Sequence, residues 1–296
     1  MDQRNPWPGV LLRVGVFALL SIFGYVLFPT LMRLIAAPVL VIAALGTFAA
    51  AAVANALALR IYERGQLSDV GLGWTPAARR NLSLGILGGL LAAVLVVAVS
   101  AIRGGEWQRI PGESMHWSSL MFLSVVLLFG AIGEELLFRG YGFQVLVRAI
   151  GPFATILPVS VLFGFAHAEN LSFGILPFLN TVLWGILLGW AFIRSGDLWL
   201  PIGLHFGWNW ALPLLGVNLS GFTMNVTGYT MHSSLGVLWT GGNYGPEGGL
   251  FTTAIVGVLF YYLHKAPIQQ QKAFLLEDHP DPADGPDPAG VPSRMP

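Results

Sequence analysis

The chain is too apolar for a soluble protein: 55% of its 296 residues are hydrophobic and 10% are charged, against about 25% charged in a typical soluble domain. Its formal net charge of zero indicates no nucleic-acid partner, and its lack of cysteine excludes disulfides, thiol catalysis and cysteine-ligated zinc. The composition therefore predicts an integral membrane protein whose surroundings are the lipid bilayer.

Apolar segments recur along the whole chain. Because a helix needs about 20 residues to cross a bilayer, they predict an all-α polytopic transmembrane helix bundle of about eight spans. The first follows Arg4 as a signal peptide would, but it contains Arg13 and no cleavage site follows, which predicts a retained helix. The approximate ranges are 10–28, 34–58, 82–102, 118–147, 153–168, 174–193, 198–215 and 250–264.

The distribution of Lys and Arg predicts the orientation. If the N-terminus is cytoplasmic, eight basic residues lie in the loops on that side and three lie on the other. The positive-inside rule then places both termini in the cytoplasm, and we expect a plasma membrane of bacterial type. Residues 216–249 become a long external loop rich in Gly, Asn, Ser and Thr, in which we expect no chemistry beyond a lone, solvated His232.

Two segments differ from the apolar remainder. Residues 66–81 mix polar and apolar side chains, which predicts either a helix along the cytoplasmic interface or a solvated loop. Residues 267–296 are polar and rich in Pro and Asp, and too poor in apolar residues to form a core, which predicts a disordered tail. Residues 1–266 then form one membrane-embedded domain.

Glu134, Glu135 and Arg139 interrupt the apolar segment from 117 to 147. Ionised residues in a membrane helix are costly and usually mark a functional site. Glu135 and Arg139 are four residues apart and can pair on one helix face, whereas Glu134 is rotated by about 100° and can face a cavity. A partly desolvated carboxylate suits a general base. A structural ion-pair cluster or an ion pathway is the alternative.

Two later segments carry histidines at helical spacing. His167 follows Phe163 by four residues, so the rings share a face; alone, it predicts a hydrogen-bonded core or interface histidine. His205 and Asn209 are also four apart and offer the directed donors that an oxyanion hole requires, or else hydrogen bonds between helices. Together with the glutamate cluster, on three separate helices, they predict a catalytic site.

Absent motifs narrow the chemistry. There is no His-Glu-x-x-His helix, and therefore no metalloprotease arrangement of the usual kind. There is no Gly-x-Ser-x-Gly elbow, and Ser195-Gly196-Asp197 lacks the glycine context of a membrane serine or aspartyl protease. Serine and aspartate nucleophiles are therefore not expected.

In this order, the three clusters resemble the CPBP family, also called the Abi family, of intramembrane proteases. The family comprises the CAAX prenyl-protease 2 type and bacteriocin-processing enzymes, and the resemblance covers about residues 117–213. Its pattern of EExxxR, FxxxH and HxxxN or HxxxD is intact here at Glu134-Glu135 to Arg139, Phe163 to His167, and His205 to Asn209.

The resemblance implies an intramembrane endopeptidase. Glu134, assisted by His167, would activate a water molecule, and His205 with Asn209 would stabilise the oxyanion. The implied substrate is a peptide or protein, lipidated substrates included, and the bacterial roles include self-immunity. No cofactor is favoured, although Glu134, His167 and His205 could bind zinc with one open position.

Two rival functions remain. One is a proton- or ion-coupled transporter, which should show internal two-fold repetition and paired broken helices; the sequence shows neither plainly. The other is a non-proteolytic immunity or adaptor protein with the same fold. A geometric conflict also remains, because the predicted spans place Glu134 toward the cytoplasmic half and His167 toward the external end of its helix. Catalytic groups must lie within hydrogen-bond reach, so a span limit, the topology or the straightness of a helix must differ from the prediction.

Overall fold

The computed structural model describes residues 7–276, and α-helices make up most of that part of the chain. Two short strands, β1 (Glu106–Arg109) and β2 (Tyr229–His232), pair antiparallel. The predicted fold class, an all-α polytopic membrane bundle, is confirmed. The helices are α1 (Trp7–Leu34), α2 (Val39–Tyr62), α3 (Pro76–Ile102), α4 (Trp117–Arg139), α5 (Tyr141–Ile150), α6 (Pro152–Ala166), α7 (Ile175–Ser195), α8 (Trp199–Leu214), α9 (Val237–Thr240) and α10 (Leu250–Lys265).

The predicted apolar segments all contain helices, but these differ in length. Five helical stretches of the described chain are long and apolar enough to cross a membrane, and α4 and α5 count together as one of them. The other three predicted spans correspond to α6, α8 and α10, which have only 15 or 16 residues. At 1.5 Å per residue they are about 23 Å long, shorter than the hydrocarbon core of about 30 Å.

The loops lie on two faces of the bundle. On the terminal face, the α7–α8 connection meets both the α2–α3 connection and the C-terminal described segment: Leu198 N donates to Gly71 O (3.0 Å), and Gln271 N donates to Ser195 O (2.6 Å). The opposite face holds the α3–α4 connection and residues 215–249, which are joined by the β1–β2 pair. Of residues 66–81, four form a 3₁₀ turn, and α3 begins at Pro76 with Thr75 as its N-cap.

A break at Gly140 separates α4 from α5, and Asn55 of α2 stabilises it. The Asn55 side chain accepts a hydrogen bond from Tyr141 N (2.7 Å) and donates one to Leu136 O (2.9 Å). Backbone groups freed by a break in a membrane helix must find partners within the protein, and Asn55 supplies two. A Cβ at position 140 would overlap both Leu136 O and the Asn55 side-chain oxygen, which accounts for glycine there.

The same break resolves the conflict of depth. Glu134 lies near the middle of the 34-residue stretch Trp117–Ile150, about where the predicted span 118–147 placed it, but the helix is interrupted at Gly140. The short α6 starts beyond that stretch and ends beside Glu134, and the rings of Phe138 and Phe163, one turn away on each helix, are 5.1 Å apart. His167 is therefore at the end of its helix, as predicted, but at the level of Glu134.

Glycines let α3 and α8 approach closely. A Cβ at Gly85 or Gly89 of α3, or at Gly203 or Gly207 of α8, would overlap the backbone of the other helix. Small residues at such positions are the usual means of close helix packing in membranes. The contact fixes α8, the helix that carries His205.

The C-terminal end of the described chain packs against the bundle. Asn81 donates to both Asp197 (2.6 Å) and Gln269 O (2.8 Å), and the side-chain amide of Gln271 donates to Asp197 (2.5 Å). Residues 267–276 were expected to belong to a disordered tail, but they are held here, and Ala273 and Leu275 are buried. Residues 277–296, the rest of the predicted tail, lie outside the described residues, as do residues 1–6.

Candidate active site

The three sequence motifs meet at one cavity of about 620 Å³ inside the bundle. Its wall includes Glu134 from α4, His167 from the end of α6, and His205 with Asn209 from α8. Residues from α1, α2, α7 and the 215–249 segment complete the wall. The structure thus brings the predicted cavity-facing residues together.

Glu135 and Arg139 lie behind the cavity wall and support it. Their side chains are 0% and 1% exposed, and Arg139 Nη1 donates to Glu135 Oε1 over 3.3 Å. The same oxygen contacts His205 Nδ1 at 2.9 Å, so Glu135 links α4 to α8. Arg139 also donates to Gly185 O (2.9 Å) and lies 4.8 Å from the centre of the Phe163 ring. Both charges are therefore compensated, which buried charges require.

Glu134 faces the two imidazoles. Its side chain is 28% exposed, and its Oε2 lies 3.8 Å from His167 Nε2 and 3.7 Å from His205 Nε2, too far for direct hydrogen bonds. The Nδ1 of His167 lies 2.8 Å from Phe163 O, which can only accept, so this nitrogen carries a proton. The neutral His167 ring then presents an unprotonated Nε2 to the cavity beside the Glu134 carboxylate. This arrangement suits a water molecule that donates to both.

Asn209 lies one helical turn beyond His205 and is half-buried in the cavity wall. Within residues 7–276 its side-chain amide has no protein hydrogen-bond partner. The alternative role of a hydrogen bond between helices is therefore not realised in the described part of the chain. The amide remains available to a group that enters the cavity.

Sequence reasoning missed the polar residues that the 215–249 segment contributes. Glu247 and Ser220 line the cavity, and Glu247 accepts hydrogen bonds from Trp208 Nε1 (3.1 Å), Ser220 N (2.5 Å) and Ser220 Oγ (2.7 Å). Burial raises the pKa of the Glu247 carboxyl, while these hydrogen bonds act against that shift. The available signal was that Glu247 is the only Asp, Glu, Lys or Arg in residues 216–249. His232 lies in β2, outside the cavity wall.

Zinc was considered from the sequence, and Glu134, His167 and His205 offer suitable donor atoms. Ligands of a tetrahedral zinc with bonds of about 2.1 Å lie about 3.4 Å from one another, whereas the distances from Glu134 to the two imidazoles are 3.8 and 3.7 Å. No group of three His, Cys, Asp or Glu among residues 7–276 has the geometry of a metal site.

Comparison with known proteins gives one match. Residues 116–211, which hold all three motifs, match the family model described as Rce1-like type II CAAX prenyl endopeptidase. No curated protein and no solved structure matches the chain. The resemblance predicted from the motifs is thereby confirmed over residues 116–211, the segment that carries all three motifs of this site.

Proposed function

We propose that the protein is an intramembrane endopeptidase in which Glu134 and His167 activate the attacking water. The observation that carries the proposal is the convergence of Glu134 Oε2 and His167 Nε2, 3.8 Å apart, on one point of the cavity wall. A water held there would donate one hydrogen to each group and direct a lone pair toward a bound carbonyl carbon. Glu134 would take its proton as the oxygen–carbon bond forms.

His205 and Asn209 serve as oxyanion donors in this mechanism. Since His205 Nδ1 is already bonded to Glu135, donation from Nε2 requires a doubly protonated ring. That state makes the cluster of Glu134, Glu135, Arg139 and His205 neutral overall, with the two carboxylates on either side of the imidazolium. Donors held in place before the reaction stabilise charge that develops in the transition state.

The reaction then balances within the cavity. The carbonyl oxygen becomes the oxyanion, bound by His205 Nε2–H and Asn209. When the tetrahedral species collapses, the carbon–nitrogen bond breaks and the proton held by Glu134 passes to the leaving amine. A carboxylic acid and an amine are released, and Glu134 returns to its ionised form.

The metal-free form of this mechanism has its own test. We expect purified protein to keep its activity after exhaustive chelation and to contain no stoichiometric metal by elemental analysis. One tightly bound zinc per chain, with activity restored only by zinc, would instead make Glu134, His167 and His205 ligands.

The same proposal includes the setting of the enzyme. The protein is an integral membrane protein, and we propose a plasma membrane of bacterial type with the terminal face in the cytoplasm, because most of the basic loop residues lie there. Its substrate is a peptide or protein segment, lipidated substrates included. Cysteine labelling of single substitutions on each face would establish the orientation.

The decisive experiment compares wild type with Glu134→Gln, each reconstituted in lipid nanodiscs with a library of synthetic peptides. Mass spectrometry should find cleaved peptides with wild type and none with Glu134→Gln, although both proteins are folded. Membrane peptide profiles of cells carrying each form should then show a substrate that accumulates only with Glu134→Gln. Cleavage by both proteins would remove the general-base role. Cleavage by neither would favour the transporter or adaptor alternatives.

A further inference from the structure

Acidic side chains predominate on the cavity wall. Three glutamates, Glu134, Glu169 and Glu247, line the cavity, whereas no lysine or arginine does so among the described residues. Arg139 is 1% exposed and already bonded to Glu135 and Gly185 O. The protonated His205 of the proposed mechanism lies 3.7 Å from Glu134 and compensates it, so a ligand in this cavity still meets the negative charge of Glu169 and Glu247.

Glu247 is the most firmly held of the three. Trp208 binds one of its carboxylate oxygens, and the backbone and hydroxyl of Ser220 bind the other. Its backbone carbonyl accepts from Asn180 Nδ2 of α7 (2.8 Å). These four contacts tie the outer segment to α7 and α8, and they hold the carboxylate at the cavity wall on the side where Trp208 lies. Glu169, in contrast, is exposed.

Two tryptophans beside Glu247 add a second indication of the ligand. Trp184 and Trp208 line the cavity with ring centres 4.9 Å apart. Trp184 is 6% exposed, and its Nε1 has no hydrogen-bond partner among the described residues. An indole N–H without a partner suits a peptide carbonyl, and indole faces next to a carboxylate suit an ammonium or guanidinium group.

We propose that Glu247 is a specificity-determining residue that selects peptide segments with a lysine or arginine side chain close to the cleaved bond. The inference rests on the proposed function, which supplies the cleaved bond. A carboxylate at the same place would be desolvated and would face Glu247 without a counter-charge, which is unfavourable.

The experiment uses neutral synthetic peptides amidated at the C-terminus. The bond that wild-type protein cuts is located by mass spectrometry in nanodiscs. A single Lys, Gln or Glu is then placed at each of four positions on either side of that bond. We expect one position at which kcat/KM is about tenfold higher for Lys than for Gln, as one partly desolvated ion pair would give, and lower still for Glu.

Glu247→Gln tests the residue, and the neutral peptide provides its internal reference. The ratio of the Lys to the Gln peptide should fall close to one, whatever happens to the rate with the neutral peptide. Glu106→Gln, which removes one negative charge from β1 outside the cavity wall, should leave the ratio unchanged. An unchanged ratio in Glu247→Gln would overturn the proposal.

Wild type alone gives an independent test if Glu247→Gln does not fold. Equal rates for the Lys, Gln and Glu peptides at every position would overturn the proposal. Binding of the same peptides, measured by tryptophan fluorescence, tests the proposed selectivity separately from the proposed endopeptidase function. Tighter binding of the Lys peptide without cleavage would refute the endopeptidase and support the selectivity. Cleavage without the Lys preference would do the reverse.

Discussion

Glu134 and Glu135 are adjacent in sequence, but replacement by glutamine should affect turnover at one position and stability at the other. Glu135→Gln removes the negative charge that faces Arg139 and His205 in a part of the protein without solvent. Glu134→Gln changes a side chain that is 28% exposed and that makes no direct hydrogen bond to either histidine. We therefore expect Glu135→Gln to reduce stability and Glu134→Gln to reduce turnover.

The magnitudes follow from burial. Breaking a buried ion pair by removing one partner costs about 3–5 kcal/mol, because the remaining charge stays buried and uncompensated. Arg139 is 1% exposed and cannot reach solvent, so Glu135→Gln should fall in this range. For Glu134→Gln we expect a stability change below about 1 kcal/mol, and a loss of turnover of at least about a hundredfold from the missing base.

The assay measures the free energy of unfolding in mixed micelles and kcat on one peptide for both variants. A third protein, Glu135→Gln with Arg139→Met, should recover part of the stability that Glu135→Gln loses, since no unpaired guanidinium remains. Equal losses of stability in the two single variants would refute the division of roles. So would wild-type turnover in Glu134→Gln.

Four further predictions test the remaining groups. Asn209→Ala should lower kcat by about a hundred- to a thousandfold with little change in KM, as loss of one oxyanion donor does; a change confined to KM would make it a binding residue. His167→Ala should lower kcat further, because the attacking water loses an acceptor, and a smaller loss than with Asn209→Ala would contradict this order. Asp197→Ala leaves donors from Asn81 and Gln271 without an acceptor and should cost about 1–3 kcal/mol of stability. Hydrogen exchange of the C-terminal described segment should then rise, and unchanged protection there would contradict the prediction. Because burial raises the pKa of Glu247, its carboxyl takes up a proton at a higher pH than an ordinary glutamate does. The Lys-to-Gln ratio should therefore fall as the pH is lowered from neutral, and a ratio that rises instead would exclude Glu247 as its source. The fall should be absent in Glu247→Gln, which separates the effect of Glu247 from that of its titratable neighbours His167 and Tyr244.

The sequence predicted the site where the geometry is local. Residues four apart on one helix share a face whatever the rest of the fold does, so the pairing of Glu135 with Arg139 and the shared face of His205 and Asn209 followed from spacing alone. The position of His167 at the level of Glu134 could not be predicted from spacing, because it depends on the break at Gly140. Asn55 stabilises that break by accepting a hydrogen bond from Tyr141 N, 86 residues away in the sequence.

The contribution of Glu247 to the cavity could not be predicted from the sequence either, because it also depends on contacts between residues far apart in the chain. It lies in a segment without helical or strand periodicity, and its contacts join it to Trp208, 39 residues earlier, and to Ser220, 27 residues earlier. A single charge in a loop rich in glycine ordinarily indicates a solvated residue. In the structure this loop instead contributes Leu219, Ser220, Phe222, Met224 and Glu247 to the cavity wall.

The adjacency of Glu134 and Glu135 sets the spacing of the catalytic groups. Glu135 contacts Nδ1 of His205 at 2.9 Å, and this contact places the other ring nitrogen, Nε2, 3.7 Å from Glu134. The distance between the proposed base and the proposed oxyanion donor thus depends on one rigid peptide unit, one rigid imidazole ring and the side-chain rotamers of Glu134 and Glu135. Arg139 holds Glu135 in place from one turn away, so the same ion pair that stabilises α4 also fixes α8 relative to the base. A change that lengthens either contact should therefore reduce catalysis even when every catalytic side chain is still present.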